Sequence, residues 1–150
     1  PRQRYGRCNM THHNSHHDFL VDLIAVAVSH ARFAQEIVSS TVVPLLPPQR
    51  RGIAEDIQRR LSGESFISEG FMRDVCALIS FLASEVEKGT QCDWVADEHD
   101  VHGGHHVRRK DDRAFALSNA CDDLVDLHDA IADVLDFKKA GRIAEVLVVT

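Results

Sequence analysis

Apolar residues recur at helical spacing in four stretches of the chain, and prolines or glycines punctuate the gaps between them. Ser15 followed by Asp18 forms a capping-box pattern, and periodicity begins at once, so a first helix is predicted over about 16–39. Within it Phe19, Leu23, Val26, His30, Phe33 and Ile37 advance by alternating steps of four and three, a heptad-like seam. Leu20, Ile24, Ala27, Ala31, Ala34 and Val38 widen that seam, leaving Asp22, Ser29, Arg32 and Glu36 as the polar edge. The run Val42-Val43-Pro44-Leu45-Leu46-Pro47-Pro48 reads as a rigid crossover, because proline lacks the N–H donor and biases its predecessor toward extended conformations. A short helix at about 49–61 ends at Ser62-Gly63.

A third helix at about 68–88, capped by Ser65 or Ser68 and stopped by Gly89, carries the inward stripe Phe71, Val75, Leu78, Leu82 and Val86. Met72, Cys76, Ile79 and Ala83 lie beside it. Residues 90–110 read as a long polar loop with Trp94 and four histidines. Asp111 or Asp112 caps a fourth helix at about 112–138, whose seam is Leu117, Ala120, Leu124, Leu127, Ile131 and Val134. Gly141 is expected to end it, and the β-branched Val146-Leu147-Val148-Val149 to extend against Val42-Val43 or a partner. The fold class that follows is all-α, a helical bundle of three long helices and one short helix, with room for a short C-terminal extended segment. Residues 1–14 form a polar, His-rich arm and 15–150 a single domain. The first helix is apolar over more of its circumference than two neighbours would cover, which points to a homodimer through it.

Composition narrows the function classes. The 150-residue chain is 44% hydrophobic and 27% charged, an ordinary globular balance. Its formal charge is −6, and the acidity is concentrated in 66–150, where 17 acidic face 9 basic side chains, against 6 and 8 in 1–65. Such a balance disfavours phosphate-backbone binding, so no direct nucleic-acid partner is expected. No apolar run reaches the roughly 18 residues of a membrane span. Cysteines at 8, 76, 92 and 121 form no CxxC pair, and Cys76 and Cys121 fall in apolar helical patterns, as buried reduced thiols do; a cytoplasmic setting is expected.

The most ordered polar pattern lies on the fourth helix. Asp122, Asp126, Asp129, Asp133 and Asp136 recur at steps of four and three, with Asp123 beside them. Asp is a mediocre helix former, and like charges one turn apart repel, so local helix stability does not account for the row. It reads as a recognition surface for a protein partner with a basic surface, or as a solvated outer face. Carboxylates one turn apart can also share Mg²⁺. In that setting Asp126-Leu127-His128-Asp129-Ala130-Ile131-Ala132-Asp133-Val134-Leu135 resembles the metal-binding helix of all-α nucleotide pyrophosphohydrolases of the MazG type. The resemblance implies a Mg²⁺-dependent enzyme with a second acidic motif of the Glu-Glu-x-x-Glu kind on an earlier helix, where this chain has Asp22 and Glu36, or Asp74, Glu85 and Glu87.

Two histidine clusters supply N, S and O donors for Zn²⁺ or another divalent transition metal. Cys8, His12, His13, His16 and His17 precede the first helix, and Cys92, His99, His102, His105 and His106 precede the fourth. If the first and fourth helices run parallel, both clusters share one end of the bundle. Gly103-Gly104 reads as a flexible point in the second cluster, and His30, within the first seam, and His128, beside the fourth-helix seam, read as hydrogen-bonded core residues. The functional expectation is a binding or regulatory module acting through the Asp row, with a Mg²⁺-dependent pyrophosphohydrolase or a His-rich metal-binding regulator as alternatives.

Overall fold

The computed structural model describes residues 15–63 and 65–149, and the side chains of 16–63 and 65–142. Four helices carry the fold: α1 (Ser15–Ile37), the short α2 (Gly52–Leu61), α3 (Glu69–Lys88) and α4 (Asp112–Val149). Between α3 and α4 stands an antiparallel hairpin of β1 (Thr90–Ala96) and β2 (Gly104–Lys110). The molecule is therefore mostly helical, with a two-stranded sheet where the sequence predicts a polar loop.

The caps follow the side chains that can make them. Ser68 Oγ accepts the Phe71 N–H at 3.1 Å at the start of α3, and Asp111 Oδ1 accepts the Ala114 N–H at 2.7 Å at the start of α4. The seams read from α3 and α4 are buried throughout: Phe71, Val75, Leu78, Leu82 and Val86 meet Leu117, Ala120, Leu124, Leu127, Ile131 and Val134 in one core. α1 lies on the other flank of α4. His16 stacks on Phe137 with ring centroids 4.5 Å apart, and Arg113 Nε donates to the Leu45 carbonyl at 3.1 Å, so α1 runs antiparallel to α4. α3 is antiparallel to α4 as well, since Lys139 pairs with Glu69 at 2.8 Å and Arg113 with Glu85 at 2.9 Å.

Three sequence expectations are corrected. Helicity does not stop before Pro44: a π-helical turn at Val38–Val42 leads into a further turn at Val43–Leu45, with the Val43 N–H bonded to the Val38 carbonyl. Widening the helix by one residue accommodates a ring that lacks an N–H and would crowd the carbonyl four residues back. Gly141 does not end α4, and 146–149 continue it as helix rather than strand. A helical glycine costs only about 1 kcal/mol, and here it admits the His16 imidazole, which a Cβ at 141 would meet at 3.4 Å.

The third correction concerns α1. Its buried face is Ala27, Ala31, Ala34 and Val38, with the heptad seam rotated onto a shoulder: Phe19, Val26 and Phe33 are 52%, 50% and 65% exposed, and Leu23, His30 and Ile37 half-buried. Small side chains let two helix axes approach closely, which a row of phenylalanines would prevent.

Candidate functional site

Antiparallel packing of α1 on α4 decides where the candidate groups fall. The start of α1, with His16 and His17, lies beside the far part of α4 at Phe137 and Gly141, while the hairpin rises where α4 begins. His16 and His17 are thus at the opposite end of the bundle from the hairpin histidines, and among the described residues the two groups share no site. Cys8, His12 and His13 lie outside the described residues, as does the rest of the 1–14 arm.

The second cluster is held by the hairpin. In the register Cys92 faces Arg108, Trp94 faces His106 and Val95 faces His105. Alternation along β2 sends His105 and His106 to opposite faces. His105 Nδ1 sits 3.6 Å from Asp100, and His106 meets the Trp94 ring edge-on at 5.1 Å. His99 and His102 belong to the turn, where their N–H groups donate to Asp97 and Asp100 carboxylates at 3.0 and 2.9 Å. Gly103 and Gly104 take φ of +78° and +158°, so the expected flexible point is a defined turn. The pattern explains why Cys92, His99, His102, His105 and His106 do not converge: among the described residues no group of three or more His, Cys, Asp or Glu is placed to hold a metal. Asp22 and Glu36, or Asp74, Glu85 and Glu87, likewise form no such group with the α4 carboxylates.

A groove of about 550 Å³ opens between α3 and α4, lined by Glu69, Met72, Arg73, Cys76, His128, Ala132, Leu135, Asp136 and Lys139. The Glu69–Lys139 pair holds the glutamate carboxyl below, and the lysine above, their ordinary ranges, chiefly through the hydrogen bond between them. Cys76 is exposed here rather than buried, and His128 Nδ1 is engaged with Asp129 Oδ1 at 3.1 Å. No hydrogen bond joins the Cys76 thiol to that imidazole among the described residues. Cys121 is half-buried as its pattern requires, and burial pushes its thiol up, with Asp122 adding to the effect.

Asp122, Asp126, Asp129, Asp133 and Asp136 are all exposed along the outer face of α4, opposite its buried seam. Several other carboxylates of the fold have a basic neighbour: Asp56 and Asp74 pair with Arg60, Glu87 with Arg108, Asp93 with Arg109, and Glu85 with Lys88 and Arg113. Among the described residues none of the five has a Lys or Arg nitrogen within 4.0 Å, and Asp129 meets only His128. The row is therefore a line of negative charge about 21 Å long with no Lys or Arg ion pair among the described residues, its last member Asp136 acting on the nearby Lys139.

Its neighbour went unforeseen. Phe137, one turn beyond Asp133, packs edge-on against Phe19 at 5.0 Å, and Ala130, one turn before Asp133, is buried. The exposed shoulder of α1 thus borders the acidic row of α4. The heptad spacing of Phe19, Val26 and Phe33 carried the signal, but spacing alone does not say which of two apolar faces is covered.

No helix among the described residues is long and apolar enough to cross a membrane. Compared with family models, with curated proteins and with solved structures, the chain matches none.

Proposed function

We propose that this chain is a small protein-binding module, regulatory in character, that acts through the Asp row of α4 on a protein partner with a basic surface. The observation that carries the reading is the alignment of Asp122, Asp126, Asp129, Asp133 and Asp136, five exposed carboxylates on one face of α4 with no Lys or Arg ion pair among the described residues. Five like charges at one-turn spacing repel one another, so they are tolerated at some expense to α4 and together attract cations. The reading includes the cytoplasmic setting expected from the cysteines.

The test uses a labelled Lys/Ala helical peptide as a defined basic probe, with fluorescence anisotropy read at low and raised salt. Asp126→Asn, Asp129→Asn and Asp133→Asn combined should weaken binding at least tenfold and flatten its salt dependence, while the circular dichroism spectrum stays helical. Equal binding by the triple variant and the parent chain would remove the row from the function.

A further inference from the structure

Resting on that reading, the geometry points to a more specific partner: we infer that the shoulder of α1 and the outer face of α4 together receive a basic amphipathic helix. Phe19, Val26 and Phe33 recur every seventh residue, each at least half exposed, so they form an apolar strip about 21 Å long, the same length as the Asp row. The Phe19–Phe137 contact sets the start of the strip beside the end of the row, and from there the antiparallel packing carries the two helices past each other. On the far side of the strip, one turn from its members, stand Asp22, Ser29 and Glu36, all exposed. The surface is therefore an apolar strip with the Asp row along one margin and, on the other, Asp22 and Glu36 at its ends with Ser29 and Arg32 between them.

That arrangement selects its occupant by charge and periodicity. A helix laid between two helices presents anchors at i, i+3 or i+4, and i+7, the spacing of the strip, and its flanking positions then face the carboxylates. Leu-like anchors with Lys or Arg on both flanks complement the surface. An acidic or neutral helix would leave the carboxylates facing like charge or desolvated without partners. A second copy of α1 fits poorly, since it would set Asp22 and Glu36 of each chain against acidic margins of the other.

The experiment compares two labelled 18-residue probes of identical Leu/Lys composition, one with Leu at amphipathic spacing and one scrambled. The amphipathic probe should bind at least tenfold more tightly than the scrambled one. Phe33→Ser and, separately, Val26→Ser should each remove most of that advantage, and the Asp126, Asp129 and Asp133 to Asn variant should weaken both probes. Val26→Ser guards against a folding defect in Phe33→Ser, and both are checked by thermal unfolding. Equal affinity for the two probes, with α1 variants silent, would overturn the amphipathic-helix inference and leave the Asp row as an electrostatic site. Failure of both probes to bind would overturn both readings. A chain that light scattering shows to be dimeric, and that Phe33→Ser renders monomeric, would assign the strip to a second copy and likewise overturn the inference.

Discussion

Glu85 is the charged side chain that the described residues bury, at 6% exposure, and it ties together the ends of three helices. Its carboxylate accepts from Lys88 at 2.6 Å and from Arg113 at 2.9 Å, and Arg113 also holds the Leu45 carbonyl beyond α1. The Lys88 bond and then the Arg113 bond hold the Glu85 carboxyl below its ordinary range. Because the folded state binds this proton less readily than the unfolded one, the stabilisation is complete above the unfolded value near pH ~4.3 and is lost as pH falls through the lower folded value. Glu85→Gln should therefore lower stability by about 1 kcal/mol at neutral pH, modest because both cations reach water, and the gap from the parent should close in acid. Urea titrations at both pH values check this. A second residue-scale outcome concerns Gly104, where an added Cβ would fall 2.4 Å from the Val95 carbonyl oxygen and 2.7 Å from the Trp94 ring, at a φ of +158°. Gly104→Ala should unseat the hairpin, shifting Trp94 fluorescence to the red, while helical dichroism is retained. The sequence marks Gly103-Gly104 as special but does not reveal why, since the reason is the Trp94 ring across the ladder. Neither does it reveal Glu85, whose partner Arg113 is 28 residues away.

At the scale of elements, the helices with one continuous apolar stripe are legible almost to the residue: the α3 and α4 seams read from spacing are the buried ones. Legibility fails where two physical solutions share one pattern. α1 offers an alanine face and a phenylalanine face, and close packing on α4 selects the alanines, a choice made between helices rather than within one. The hairpin escapes detection because both its faces are largely exposed, so Thr90–Ala96 lacks the alternation that announces a half-buried strand. Gly141 misleads because a neighbour's ring, not a turn, uses the space it leaves. The Asp row is legible as a row, and its cost to α4 is testable. Replacing Asp126, Asp129 and Asp133 with Asn removes five like-charge contacts at one-turn spacing, counting Asp123–Asp126, each worth some tenths of a kcal/mol, so the variant should gain about 1 kcal/mol and a higher melting temperature at low salt. Added salt should shrink the gain. An unchanged melting temperature would mean that the carboxylates are already neutralised by something outside the described residues.

For the whole molecule, connectivity decides which candidate groups meet more than any single motif does. The crossover through Pro47 and α2 returns the chain so that both α1 and α3 run against α4, which parts His16 and His17 from the hairpin histidines and brings the apolar shoulder of α1 to the α4 carboxylates at Phe137. The site thus arises from two helices nearly a hundred residues apart in sequence, each carrying half of an amphipathic surface. We propose that surface, rather than the groove around Cys76 or the hairpin, as the docking face. The most direct test is a ¹⁵N-resolved NMR titration of the chain with the amphipathic Leu/Lys probe. The predicted result is saturable shift changes confined to Phe19–Glu36 on α1 and Asp122–Phe137 on α4, with the hairpin amides of Thr90–Lys110 unmoved. Shifts centred on the hairpin, or on Met72, Cys76 and Leu135 in the groove, would contradict it.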